Sequence, residues 1–400
     1  MSSRRPLRIL PSIVMAIFCG GSLWFSGNAI LGDLQSRWDV GSQVAGHITS
    51  SVQFGFISGT LLFAFFTVSD HFSPRLVFFV SAVLAALSNG MILLLSESLA
   101  AVLALRFCTG FFLAGIYPVA MKIAASWYEK GLGSALGFLI GALVLGTAFP
   151  HLLSAAGQQL PWKGVIAATS IISVGGGFLV LLAVPDGPYL TVGTKFNIRA
   201  IPLIFQSKDL RAAAFGYFGH MWELYTLWAF LPAYLVAYGQ QWSLDIPVSF
   251  WSFAIIAAGT AGCVVGGVLS KTVGSTPVAA AQLVASGLCC LLSPLAIAMG
   301  LPWFLGFLLF WGVVVVGDSP QFSAVVAAAA PRDLVGSALT IVNCIGFFIT
   351  IISIQLVSAA LTFLPAENIF VFLAIGPLLG TISLFPLLRP YSKRRRKHAT

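Results

Sequence analysis

Charge is what this chain has least of. Its 21 Lys and Arg and 12 Asp and Glu amount to 8% of 400 residues, where a soluble domain carries about 25%. With 58% hydrophobic residues and a mean hydropathy of +0.97, that scarcity excludes a soluble globular protein and points to an integral membrane protein. Other absences narrow the field. All six cysteines (Cys19, Cys108, Cys263, Cys289, Cys290 and Cys344) fall in apolar runs rather than loops, so no disulfide framework is expected. No Gly-x-x-x-x-Gly-Lys-Ser/Thr loop occurs, which argues against ATP-driven pumping. The apolar runs lack the two-residue alternation of a membrane β-barrel. The first of them, Ile9 to Ile30, is too long for a cleavable signal peptide and has no convincing cleavage site, so it reads as a membrane span.

What is there is a series of apolar runs. Twelve of them reach the length of about 20 residues that crosses a bilayer core. They lie near 9–31, 43–68, 76–95, 99–123, 131–155, 163–184, 211–237, 247–270, 277–299, 302–327, 334–361 and 368–388, and are numbered here as spans 1 to 12. The fold class is therefore all-α. With both termini inside the cell, 18 of the 21 basic residues fall on the inner side, Arg37 and Lys163 on the outer side, and Arg106 within span 4. That bias is the positive-inside rule. The net charge of +9 then follows from topology and anionic lipid heads. Nucleic acid is not needed to explain it, nor is it needed for the basic tail "RPYSKRRRKHAT".

The chain repeats itself. Trp24 and Trp38 recur as Trp228 and Trp242, shifted by 204. Gly110, Gly115 and Pro118 recur as Gly312, Gly317 and Pro320, shifted by 202. "GSAL" at 133–136 recurs at 336–339, shifted by 203. A near-constant shift across separated spans implies two parallel six-helix halves, an architecture of secondary transporters. The halves are expected at 1–184 and 211–400, with a linker at 185–210 whose "IRAIPLIFQ" segment reads as a short surface helix.

At the inner loops the pattern becomes specific. "TVSDHFSPRLVF" after span 2 and "GGVLSKTVGSTP" after span 8 resemble the Gly-x-Leu-x-Asp-x-x-Gly-Arg-Arg signature of the major facilitator superfamily. Asp70 and Arg75 match in the first copy, where Phe66 and Ser73 replace the glycines. Gly267, Leu269 and Gly274 match in the second, where Lys271 replaces the acid. "LALRFCTG" in span 4 is similar to the family's Arg-x-x-x-Gly pattern, through Arg106 and Gly110. The chain departs from the family's proton-driven drug exporters in having Ala142 where span 5 would carry a proline. It departs from the nitrate carriers in lacking an arginine in spans 2 and 8.

The resemblance implies twelve helices, alternating access and a central cavity lined by spans 1, 4, 7 and 10. Arg106 and Tyr117 share a helical face of span 4 with Thr109, Gly110 and Leu113. They are expected to bind substrate together with Trp24, Asn28, Gln53 and Asn343. Arg106 then meets an anionic solute or pairs with Glu223 or Asp318. His220 and Glu223 lie one helical turn apart, where their side chains can meet. A charge at that depth costs about 2.5–3.5 kcal/mol on insertion scales. A carboxyl whose protonation depends on its neighbours and on water is what proton coupling requires, so Glu223, His220 and Asp318 are the coupling candidates. Asp70, Arg75 and Lys271 are expected at the cytoplasmic gate, and Lys122 at the inner end of span 4 is expected to reach lipid heads.

The resulting expectation is a monomeric transporter of the inner or plasma membrane, not an enzyme and without a cofactor. Its partners are a small, anionic organic solute, the proton as coupling ion and the lipid bilayer, with no nucleic acid. A drug or metabolite efflux antiporter is the alternative. A membrane enzyme using His220 and Glu223 lacks a second cluster, and a transporter-like sensor lacks a tail long enough to hold a signalling domain. Topology is directly testable. A reporter active only outside the cell is expected to be silent when fused after residue 400 and active when fused near Asp39 or Asp245; the reverse pattern overturns the orientation.

Overall fold

A computed structural model describes residues 6–38, 44–128, 132–156, 160–190 and 196–388. Arg4, Arg5, Lys130, Lys195 and the basic tail from Arg389 lie outside the described residues. The described chain is helical, and ten of its helices are long and apolar enough to cross a membrane. The remaining two spans are the first of each half. Span 1 begins with the shorter apolar helix Ile9–Gly21, and span 7 is the 35-residue helix Lys208–Trp242, long enough but more polar. The expected linker helix forms as Ala200–Gln206. The side of the molecule that carries Asp70, Lys122 and the linker helix Ala200–Gln206 is called here the terminal side.

The sequence repeat has a structural meaning. Span 4 is two helices, Leu99–Leu113 and Tyr117–Ala125, and span 10 is two helices, Leu301–Gly317 and Ser319–Ala329. Each second helix carries its proline, Pro118 or Pro320, in the first turn, where the missing N–H is not needed. A proline cannot bond the carbonyl four residues back, and in span 10 the Cys263 thiol takes up that carbonyl, Val316 O, at 3.5 Å. The repeated glycines do a different job. A Cβ on Gly110 would stand 2.0 Å from Val52 O, and one on Gly312 would stand 2.0 Å from Ile255 O. Span 4 therefore touches span 2, and span 10 touches span 8, backbone to backbone.

Span 1 breaks as well, and here the repair is ionic. After Gly21 the helix opens through Ser22 to Phe25 and resumes as Ser26–Ala29 and Leu31–Trp38. Irregular backbone at this depth persists only where protein satisfies it. Fully buried Arg106 does so. Its Nη2 donates to Leu23 O at 3.0 Å and to Trp24 O, and its Nη1 donates to Ser26 Oγ and Asn89 Oδ1, both at 2.9 Å. Asn89 Nδ2 in turn donates to Ser170 Oγ of span 6 at 3.0 Å. One guanidinium thus binds span 1 to spans 3, 4 and 6. The expected ion pair with Glu223 or Asp318 is not formed, because four neutral acceptors of its own half surround the charge.

Replacing Arg106 by Lys keeps the charge but loses the planar fork that reaches four acceptors. The expected outcome is a loss of about 1–3 kcal/mol of stability, read as a lower melting temperature in detergent, with the preference for solute charge unchanged. A changed charge preference at full thermal stability would place Arg106 in the substrate site instead.

Candidate functional site

A cavity of about 260 Å³ lies at mid-depth between the halves. Span 7 supplies much of its wall through Tyr217, Met221, Leu224, Tyr225 and Trp228. These positions, spaced 0, 4, 7, 8 and 11, form one stripe of an α-helix. Tyr117, Trp24 and Asn343 face them from spans 4, 1 and 11, with Phe322 from span 10. The wall is apolar, with aromatic rings and a few hydroxyls, and among the described residues no Asp, Glu, Lys or Arg lines it. Tyr217 Oη donates to Asn343 Oδ1, fixing span 7 against span 11.

The expected binding set therefore divides. Trp24, Tyr117 and Asn343 line the cavity. Arg106 does not, because the break at Ala114–Ile116 interrupts the face that it was expected to share with Tyr117, and because it is turned to the backbone of span 1. Asn28 donates to Thr49 Oγ1 at 2.8 Å. Gln53 Oε1 accepts from Thr350 Oγ1 across the two halves. Beside that bond, Gln355 Nε2 donates to Ser50 Oγ at 2.8 Å, and an aromatic plug of Trp24, Phe56, Tyr225 and Phe347 fills the space below. The side opposite the terminal side is sealed by these contacts.

On the terminal side the cavity continues into a second one of about 470 Å³, which shares Thr60, Pro118, Gly336 and Thr340 with it. Asp70 and Lys122 stand in its wall and pair with each other. Lys122 Nζ also donates to Ser69 O at 2.6 Å. That corrects the expectation that Lys122 reaches lipid heads: the loop after span 2 covers it first. Arg75 is partly buried, Lys271 is exposed, and neither has a polar side-chain partner among the described residues.

The three ionisable groups of the second half sit behind the cavity wall, each about 1% exposed or less. His220 and Glu223 do not pair with each other. His220 Nδ1 lies 2.8 Å from Asp318 Oδ1, whereas Glu223 Oε1 accepts from Ser286 Oγ and, at 2.7 Å, from Trp311 Nε1. The helix explains the divergence. At about 100° per residue, His220 is about 60° from Tyr217, at the edge of the cavity stripe, and Glu223 is about 120° away, facing spans 9 and 10. The His220 ring lies 5.9 Å from Tyr217 and 5.8 Å from Phe322, both of which line the cavity. Asp318 occupies the break of span 10, next to the lining residue Ser319. The His220–Asp318 pair is thus one side-chain layer from the cavity. The sequence reading had missed Tyr217, Tyr225 and Trp228 as lining residues, although their helical spacing was visible.

No curated protein matches the chain by sequence. Among solved structures, the fold is similar to that of the nucleoside transporter NupG, at a TM-score of 0.70 and 12% identity, covering 95% of this chain and 100% of that one. It is also similar to the human organic anion transporter MFSD10 (TETRAN), at 0.68 and 16%, covering 94% and 99%. At such identities the likeness is one of fold. The family model for the Major Facilitator Superfamily matches residues 12–354, most of the length over which the broken helices and the cavity are laid out, and the chain belongs to that superfamily.

Proposed function

We propose that the chain is a secondary active transporter that moves a small organic solute by alternating access, coupled to protons. The observation that carries this reading is the placement of the His220–Asp318 pair one layer behind a cavity that has no charge of its own. Proton binding at such a pair changes the charge at the joint between the two helices of span 10, which is where a helix bends at least cost. Glu223, held by two donors, is a structural acceptor in this scheme, and His220 tunes the acid. The halves, 1–184 and 211–400, rock about the cavity with 185–210 as their tether. The terminal side is the cytoplasm and the membrane the inner or plasma membrane, by the distribution of basic residues. Asp70 with Lys122, and Arg75 and Lys271 nearby in the chain's inner loops, belong to the cytoplasmic gate.

The uncharged wall favours a solute that is uncharged in the site, either neutral or an acid carried protonated. Arg106 supports no anion there, because it does not line the cavity and its Nη atoms donate to span 1. The similar folds of a nucleoside transporter and an organic anion transporter accommodate both kinds of solute. The aromatic wall equally suits export of an amphipathic metabolite, and the direction follows from transport assays rather than from the cavity.

Asp318→Asn is expected to abolish pH-gradient-driven accumulation in proteoliposomes while counterflow exchange survives, since exchange needs no deprotonation of the carrier. His220→Ala shifts the pH dependence. Glu223→Gln still accumulates solute, with stability lower by about 1–3 kcal/mol. Accumulation by Asp318→Asn together with its loss in Glu223→Gln would move the coupling role to Glu223. At the gate, Asp70→Asn is expected to slow transport and to change the labelling rate of a cysteine placed at Thr340, because Lys122 loses its counter-charge; if neither changes, the pair has no part in gating.

A further inference from the structure

The closed end of the cavity holds two donors with nothing to donate to. Trp24 and Trp228 both line the cavity and are 2% and 3% exposed. Each packs against Tyr225, at 5.6 Å and 5.4 Å between ring centroids. The Nε1 of each is buried without a hydrogen-bond partner among the described residues. The contrast within the chain is informative. Trp38, Trp127, Trp222 and Trp242 donate to the carbonyls of Ser96, Pro185, Phe372 and Ile297, and Trp311 donates to Glu223. Five indoles thus have acceptors, whereas these two are buried beside the cavity without one among the described residues. An indole N–H donates and never accepts. A buried donor left unpaired costs about 1–3 kcal/mol, so a donor kept unpaired beside the cavity calls for an explanation.

We propose that Trp24 and Trp228 are hydrogen-bond donors to the solute, and that the solute is a planar, uncharged molecule carrying a carbonyl-type acceptor on its leading edge. Three features of the cavity converge on that class. Its apolar lining includes the rings of Trp24, Tyr117, Tyr225 and Trp228, which favour a ring system. The two unpaired indole nitrogens are donors only, so they select an acceptor. It has no basic side chain in its lining, so a carboxylate would enter without a counter-charge, at a far higher cost than a carbonyl. The two indoles also come from different halves. Trp24 belongs to span 1, where Arg106 holds its carbonyl, and Trp228 belongs to span 7. A carbonyl bonded to both bridges the halves at the end that must close behind it, so the same contact that recognises the solute favours the closed state.

This inference rests on the cavity's being the transport site, and its test is built so that the two fail separately. Three bicyclic probes of one skeleton are used: 1-indanone, which carries the acceptor; indane, which lacks it; and indane-1-carboxylate, which is charged. Binding to the purified full chain in nanodiscs is measured by equilibrium dialysis, with empty nanodiscs correcting for partition into lipid. The expected order is 1-indanone about tenfold or more tighter than indane, which is about 1.4 kcal/mol, with the carboxylate weakest. Trp24→Phe and Trp228→Phe keep an aromatic wall and remove the N–H. Each is expected to lower 1-indanone affinity and leave indane unchanged, and the double variant to bind the two alike. Melting temperatures within a few degrees of the parent certify the fold, and the wild-type order stands as a test if a variant fails it. Equal binding of indanone and indane, tightest binding of the carboxylate, or no binding of any probe would each overturn the proposal. No gradient is applied, so carbonyl selection without proton-driven uptake would sink the coupling reading alone. Uptake without carbonyl selection would sink only the assignment made here.

Discussion

The first half depends on one buried cation. A guanidinium with no carboxylate beside it is an expensive object in a membrane, and Arg106 is tolerated because a broken helix supplies what it needs. The unwound turn of span 1 exposes carbonyls that require donors, and Arg106 has donors that require acceptors. Neither is stable at that depth without the other. Ser26 and Asn89 complete the arrangement, and Asn89 passes it on to span 6. The position of Trp24, and with it the closed end of the cavity, is set by this exchange.

The second half solves the same problem differently. Its break, at Asp318, carries a carboxyl group rather than carbonyls alone, and the neighbour that meets it is an imidazole. Equivalent positions in the repeat, Ile116 and Asp318, thus have opposite characters: one is an apolar joint and the other an ionisable one. Both repeats have the joint, and only one of them has the titratable group. The cavity between stays free of charge, so its selectivity comes from shape, aromatic faces and hydrogen-bond donors.

Much of the architecture was legible in the sequence, because hydropathy and the bias of basic residues are local properties. The all-helical layout, ten of the membrane-length helices and the linker helix could be read without coordinates. The pairing within the site could not. Arg106 invited the search for an acid, yet its partners are two carbonyls, a serine and an asparagine, which have no signature. His220 and Glu223 looked like a pair by spacing, but adjacency on a helix does not decide which neighbour each side chain meets; Asp318 is 98 residues from His220. Lys122 resembled a snorkelling lysine until the loop carrying Asp70 was placed over it. The aromatic stripe of span 7 was within reach of periodicity, and was overlooked because two ionisable residues stood among it. Gly115 with Pro118, and Gly317 with Pro320, read as a repeat, and such glycine and proline pairs also signal the helix breaks found there.

Span 7 runs unbroken for 35 residues, through Pro232, to a left-handed cap at Ser243. At 1.5 Å per residue it is about 52 Å long, well beyond a hydrocarbon core of about 30 Å. Its repeat partner, span 1, is three shorter pieces over the same depth. The two halves are alike in layout and unequal in stiffness. A push on either end of span 7 arrives at the other end, carrying the Tyr217–Trp228 wall with it, whereas a push on span 1 is absorbed where Arg106 holds the open turn. One half is built around a lever and the other around a joint, so movements of equal size in the two cannot have equal effects on the cavity.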